Sequence, residues 1–256
     1  MALVHDRCIC LRKHEYSETS QIVTLFSRGH GVIRAIAKGA HRRTKAGASK
    51  FDGGVDFLDL GDAVFTHDPA KDLAMLTEWH LADGHLHLRQ DLRRMYLALY
   101  AGELVSLLVE EHDPHPDLFD RLYQTLTELG SPRSEETFLA FQLDLLRETG
   151  YLPELTGCVA CGVELDDRQI AGFSPSRGGM VCSPCAGSVG DRMALDPRLL
   201  RLVQGILRLP RTNGEILRLP RLTRHQTDPL NNLLARHVQH TLARPLRLYP
   251  YVLDGR

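Results

Sequence analysis

Over roughly the first eighty residues, apolar and polar positions alternate with a period near two, the pattern of strands with one buried face. Val4–Lys13 is one such run, with Ile9 and Leu11 on the same side, and Ser20–Ser27 is a second. Arg28-Gly29-His30-Gly31 supplies a tight turn into Val32–Lys38, which predicts a β-hairpin. A segment of Gly, Ala, Ser and basic residues follows over Gly39–Lys50. Two further strands are predicted at Val55–Leu60 and Ala63–Thr66, joined through Gly61-Asp62, and a last one at Leu73–Leu81. About five or six short strands with no helix between them read as a small barrel.

From Asp91 the period lengthens. Leu92, Met95, Tyr96, Leu99, Leu104, Leu107 and Leu108 recur at three- and four-residue spacing, the stripe of an amphipathic helix. Asp117 is a candidate cap for a second helix carrying Leu118, Leu122, Leu126 and Leu129 and stopped by Gly130. A third follows Ser134 with Phe138, Phe141, Leu145 and Leu146, and ends at Gly150. Farther on, Asp196-Pro197 and Asp228-Pro229 each read as a cap followed by proline in the first helical position. The later half is therefore helical.

The formal net charge is −1, which excludes a uniformly basic coat. The charges are nonetheless segregated. Between Arg28 and Lys50 stand Arg28, Arg34, Lys38, Arg42, Arg43, Lys45 and Lys50 without one acid. From Phe51 to Glu78 the sign reverses, with Asp52, Asp56, Asp59, Asp62, Asp68, Asp72 and Glu78 against Lys71. Beyond Arg192 the cations are all arginine. Such blocks predict a polarised surface. His, Asp and Arg interrupt each apolar run near the start, so neither a signal peptide nor a membrane span is expected. Without export the six cysteines are not expected to pair as disulfides, and a cytosolic setting turns attention to metal.

Cys158-Val-Ala-Cys161 and Cys182-Ser-Pro-Cys185 form a CxxC…CxxC array. Two residues between cysteines let a turn aim both sulfurs at one point, and Zn²⁺ takes four thiolates tetrahedrally at about 2.3 Å. Four protein ligands leave no open position, so one structural zinc ion is expected. The intervening chain fits a ribbon, with a strand over Gln169–Ser174 and a turn at Arg177-Gly178-Gly179 into Met180-Val181. A redox pair or free thiols is the alternative. Cys8 and Cys10 lie two apart on a strand and read as ordinary buried side chains.

The candidate DNA-binding residues are Arg34, Lys38, Arg42, Arg43, Lys45 and Lys50, where a barrel strand gives way to a loop. Phosphates need several cations on one accessible surface. Phe51, Phe57, Phe65 and Tyr16 are nearby candidates for base stacking; barrel core is the competing role for the phenylalanines. The sequence lacks GxxxxGK[ST], HExxH and GxSxG motifs, and no paired acids stand in an acid–base setting. His85, His87, His112, His115, His237 and His240 lack partners at ligand spacing and read as surface histidines. Catalysis is not expected.

Three segments together resemble the RecO family of bacterial recombination mediators. They are ICLRKHEYSETSQIVTLFSRGHGVIRAIAKGAHRR at Ile9–Arg43, FQLDLLRETGYLPELTGCVACG at Phe141–Gly162 and FSPSRGGMVCSPCA at Phe173–Ala186, with a C-terminal LLARHVQHTLARPLRLYPYVL. The resemblance implies an α+β chain: an N-terminal OB-fold β-barrel, then an α-helical domain with an inserted four-cysteine zinc ribbon. Domains are expected at 1–82 and 83–256, with the insert at about 153–190. The family further implies binding and annealing of single- and double-stranded DNA, recombinase loading, partnership with the RecR protein, and recognition of the acidic tail of single-stranded-DNA-binding protein. The residues carried over are Cys158, Cys161, Cys182 and Cys185, and the Lys38, Arg42 and Arg43 cluster. The stretch RTKAGASKFDGG and the acid-rich Phe51–Glu78 depart from the family pattern. The competing classes are a zinc-ribbon regulator or RNA-binding factor, in which the ribbon itself presents nucleic acid, and a metal-dependent nuclease. The first needs a basic ribbon, whereas Cys158–Cys185 carries Arg168 and Arg177 against Glu164, Asp166 and Asp167.

Overall fold

A computed structural model describes residues 2–41, 50–51, 53–68, 71–166, 170–209 and 220–253. The chain divides into two compact units, Met1–Ser134 and Glu135–Arg256. Among the described residues no helix is long and apolar enough to cross a membrane.

The first unit is built on five strands: β1 (Ala2–Ser17), β2 (Ser20–Ser27), β3 (Gly31–Ala37), β4 (Leu60–His67) and β5 (Ala74–Asp83). They close into a barrel in the order β1-β2-β3-β5-β4, with only β3 and β5 parallel. Alternation decides which side chains fill it. Cys8, Cys10, Val23, Leu25, Ile33, Ala35, Ala37, Phe65, Leu76 and Trp79 point inward and are buried. Each large one withdrawn from water contributes on the order of 1.5–3 kcal/mol. The opposite parity, with Ile9, Leu11, Phe26 and Val32, is apolar where helices cover it. Helix α1 (Leu92–Leu108) packs there, its Gly102 passing close to Leu11 and Leu58, and Phe119 of α2 (Pro116–Glu128) meets Phe26 with ring centroids 5.7 Å apart.

The segment Val55–Leu60 is not the strand its alternation predicts. Val55 is held by the Gln21 side-chain amide, and Leu58 and Asp59 bond the backbone of Cys10 from a loop. Gly61-Asp62 is not a turn either; both residues lie inside β4. Gly61 belongs in the strand because the Trp79 ring occupies the space of a side chain, 2.4 Å from where a Cβ would sit.

The Arg28–Gly31 turn forms as predicted. Gly31 takes φ 70° and lies against the backbone of Asp113, where a Cβ would fall 2.2 Å from the carbonyl oxygen. Asp6 on β1 ties this turn down: its carboxylate accepts from the Ser27 hydroxyl, from the Gly29 amide at 2.7 Å and from the Arg7 amide at 2.8 Å, and faces His30 Nδ1 at 3.3 Å. Helix α1 is capped by Asp91, which accepts from the Arg94 amide at 2.9 Å. Asp117 is not the cap of α2: Pro116 takes the first helical position and Asp117 lies in the first turn, where its charge faces the helix dipole.

The second unit holds α3 (Ser134–Glu148, beginning at the unit boundary), a two-stranded ribbon of β6 (Ile170–Ser174) and β7 (Gly179–Cys182), and helices α4 (Pro197–Arg208), α5 (Arg224–Leu242) and α6 (Tyr249–Leu253). Asp196 caps α4 as predicted. Asp228-Pro229 does not begin α5; a capping box of Thr223 and Gln226 starts it earlier and leaves Pro229 inside the helix. Gln142 of α3 donates to Asn231 of α5 at 2.9 Å in the buried interior. Two histidines read as superficial are buried: His85, whose Nδ1 lies 2.9 Å from the Leu58 carbonyl, and His237, whose Nε2 lies 2.9 Å from the Tyr151 carbonyl.

Burial pushes the Asp6 carboxyl upward, but the bonds from Ser27, Gly29, His30 and Arg7 outweigh it and hold it below the ordinary value. A depressed native pKa stabilises the fold above the unfolded value of about 3.9, and that contribution disappears as pH falls through the lower native value. Asp6→Asn is expected to cost about 1–2 kcal/mol at pH 7 in urea unfolding. Below about pH 4 the difference from the parent should shrink, and a constant difference down to pH 2 would show that the charge is irrelevant.

Candidate metal centre and nucleic-acid face

The ribbon brings the four predicted sulfurs together. Each CxxC pair is a tight turn: the Gly162 amide donates to the Cys158 carbonyl at 2.7 Å, and the Cys185 amide to the Cys182 carbonyl at 3.1 Å. All four Sγ atoms lie within 4.8 Å of one another, and Cys161 and Cys182 approach to 3.7 Å. A tetrahedral ion with metal–sulfur bonds of about 2.3 Å requires sulfur separations of about 3.8 Å. The cluster therefore fits a tetrahedral divalent cation and could hold one. Cys158 and Cys182 are buried beside Val181 and Val189, while Cys161 is exposed.

The thiols are also electrically prepared. Burial opposes ionisation of Cys158, yet the amides of Cys182, Ala160 and Cys161 point at its sulfur and lower its pKa to about 6. Cys185 moves the other way, to about 12, because Cys182 and Cys161 hold its proton and burial adds to the effect. Four thiolates this close repel one another, and a bound cation is what allows all of them to ionise together. Cys8 and Cys10 lie in the barrel core, with burial raising both thiols, as inert side chains.

The basic candidates divide three ways. Arg34 stands exposed on the outward face of β3, and Lys38 is exposed just beyond its end. Lys50 is exposed as well, with its ammonium 3.8 Å from Glu78. Arg42, Arg43 and Lys45 lie outside the described residues, as does Gln169 of the predicted ribbon strand. The chain enters the basic segment through His41, whose ring sits between the Glu15 carboxylate at 3.0 Å and the Gly53 carbonyl at 3.3 Å.

Register adds two residues that the sequence reading did not single out. Leu11 is an extra residue in β1, so the pairing resumes with Arg12 opposite Thr24 and His14 opposite Ile22. Thr24 in turn pairs Arg34, and Ile22 pairs Ile36. Arg12, Thr24 and Arg34 therefore form one outward row across three strands. The signal was present in the alternation of Arg12 and His14, but the unpaired Leu11 hides which face they share. No outward position of β1, β2 or β3 among the described residues is acidic.

Three acids of the following segment are placed elsewhere. Asp62 on β4 pairs Arg7 at 3.2 Å, Asp56 at the barrel end engages Lys13 and Arg89 at 2.9 Å each, and Asp59 is buried. Arg28 is turned away from the basic face and holds Asp120 of α2 through two bonds of 2.9 and 2.8 Å. The phenylalanines are not stacking platforms: Phe51 and Phe65 belong to the core, and Phe57 lies under the Lys13 ammonium, 5.6 Å from its ring centroid.

Comparison with known proteins gives consistent likenesses in both halves. The family model described as "Recombination protein O N terminal" matches residues 1–85, and that described as "Recombination protein O C terminal" matches residues 89–250. The chain is 37% identical over 190 residues to a protein of Rhodopirellula baltica named "DNA repair protein RecO", covering 72% of this chain and 68% of that one. Proteins of the same name are similar to it in Myxococcus xanthus, 30% identical with 93% of each covered, and in a Roseiflexus species, 32% identical with 97% of this chain and 84% of the relative.

The sulfur cluster has a direct check. Elemental analysis of the purified protein is expected to find about one zinc per chain, and Cys158→Ser with Cys182→Ser should abolish it. Because Trp79 is the single tryptophan and is buried in the barrel, its fluorescence reports the first unit alone. Chelation should open the ribbon to protease while leaving that emission unchanged; metal-free protein with an intact, protease-resistant ribbon would refute the centre.

Proposed function

This chain belongs to the RecO family of DNA repair proteins, and from that premise we propose that it is a recombination mediator acting by binding energy alone. It holds single- and double-stranded DNA through Arg34, Lys38, Arg42, Arg43, Lys45 and Lys50 without reading sequence. Cations along a strand displace its condensed counterions and lower the repulsion between two complementary strands, so annealing needs no nucleotide hydrolysis. In the RecF-type pathway of the cytosol, the protein anneals strands and promotes recombinase loading onto DNA coated with single-stranded-DNA-binding protein. Its protein partners in this reading are RecR and the acidic tail of that coating protein.

The observation that carries the reading is the separation of charge around the barrel. The outward face of β1, β2 and β3 has cations and no acid among its described residues, whereas Asp56 lies at the barrel end, Asp62 on β4, Glu78 on β5 and Asp59 in the interior. A net charge of −1 thus coexists with a surface suited to polyanions.

The division of labour follows. Residues 1–82 carry the nucleic-acid surface, and 83–256 form the helical domain with the ribbon inserted at about 153–190. A structural zinc ion on Cys158, Cys161, Cys182 and Cys185 closes that insert. The chain performs no catalysis; its work is done at protein–DNA contacts.

The combined substitution Lys38→Glu, Arg42→Glu and Arg43→Glu tests the surface. Affinity for single strands and for duplex should both fall by at least about tenfold near physiological salt, and annealing of complementary oligonucleotides should slow with them. The slope of log affinity against log salt should become shallower by roughly 0.7 per lost phosphate contact on single strands and 0.9 on duplex. Unchanged binding and annealing would remove these residues from the interface.

A further inference from the structure

The outward face of β1–β2–β3 carries more than charge. Across it run two rows set by strand register: Arg12, Thr24 and Arg34, and beside them His14, Ile22, Ile36 and Met75. Strands are about 4.8 Å apart and advance about 3.4 Å per residue, so Arg12 and Arg34 start roughly 10 Å apart and Lys38 lies roughly 13 Å farther along β3. Between these cations the floor is the half-buried Ile22 and Ile36 with the exposed Met75. An apolar floor bordered by cations suits a ligand with flat faces and a charged backbone.

At the same end of the sheet as Lys38 stands Tyr16. A second irregularity in β1, between Glu15 and Ser17, drops it from the ladder and leaves it 64% exposed. The neighbouring hairpin tip is fixed to the chain after β3: the Gly39 amide donates to Ser20 Oγ at 3.4 Å and the His41 amide to the Thr19 carbonyl at 3.4 Å. The ring is thus held out on a braced hairpin rather than a loose loop. Bulges recur where a strand must re-aim a side chain.

We infer that the β1–β2–β3 face is a track for single-stranded DNA, with Tyr16 stacking on an unpaired base while Arg12, Arg34 and Lys38 hold the phosphates on either side. This rests on the proposed DNA-binding function and adds a preference to it. The faces of bases in a duplex are already covered by their neighbours, so a protruding tyrosine gains nothing from them. Unpaired bases offer their faces freely, and an aromatic platform accepts any of the four. Tyr16 therefore separates single strands from duplex, whereas the cations serve both.

The experiment uses the full chain and fluorescence anisotropy with three probes: an oligothymidine, a duplex of equal length, and an abasic strand with the same number of phosphates. Tyr16→Ala should weaken oligothymidine binding roughly tenfold, leave duplex and abasic affinities unchanged, and leave the salt slope unchanged. Tyr16→Phe keeps the ring and should bind as the parent does. Arg12→Glu should weaken all three probes and flatten the salt slope. Since Tyr16 is exposed, Tyr16→Ala is expected to keep the parental melting temperature, and Tyr16→Phe controls for any that is lost. An unchanged ratio of single-strand to duplex affinity in Tyr16→Ala overturns the stacking role. Failure of the function itself looks different: the parent protein would bind none of the probes, or bind them indifferently to the Lys38, Arg42 and Arg43 reversal.

Discussion

The strict alternation of side chains along a pleated strand is the constraint on which the first unit depends. In a closed barrel one parity is committed to the interior, because no edge or open face remains through which it could escape. Cys8, Cys10, Val23, Leu25, Ile33, Ala35 and Phe65 meet that demand, and Trp79 fits only because Gly61 has no side chain. The other parity is then divided by what covers it. Where α1 and α2 lie it is apolar; beyond them it is cationic on β1 and β3, uncharged on β2, and mixed on β4 and β5. Charge segregation in the folded protein is therefore a product of register as much as of composition.

The ribbon answers a different constraint. Two strands of five and four residues offer too little apolar surface to hold themselves together, and their local core is Val181 and Val189 with the buried sulfurs. A metal ion cross-linking the four thiols would replace the missing core, and the thiols sit at ligand spacing with backbone amides directed at Cys158. The His237 side chain of α5 reaches the Tyr151 carbonyl just before the ribbon and meets Phe173 of β6 edge-on, so the insert is seated on the helical unit.

Much of this was legible in the sequence, and what was not has physical reasons. The barrel, β2 and the hairpin turn, the cap at Asp196 and the convergence of Cys158, Cys161, Cys182 and Cys185 follow from local rules that tertiary structure did not override. Val55–Leu60 misled because its alternation is satisfied by a loop whose partners, Gln21 and Cys10, are distant in sequence. Gly61-Asp62 looked like a turn because nothing local announces Trp79 above the glycine. Pro229 suggested a helix start, but a capping box a turn and a half upstream set the boundary instead. His85 and His237 were misjudged for a related reason: their carbonyl partners, Leu58 and Tyr151, are far away along the chain. The outward row through Arg12 was invisible because one unpaired leucine changes the parity that a reader must count.

That leucine sits where the two parities of β1 meet. Upstream of Leu11 the odd-numbered residues of β1 face outward with Ile9; downstream the even-numbered Arg12 and His14 do, and Glu15 turns toward Gln21. Removing Leu11 would let Arg12 follow Cys10 in plain alternation, still opposite Thr24 and on its present side, at the loss of the bend and added twist that a bulge gives a strand. The surplus residue thus serves packing rather than charge: its side chain is buried near Gly102 of α1, while the cations keep the side that alternation alone would give them.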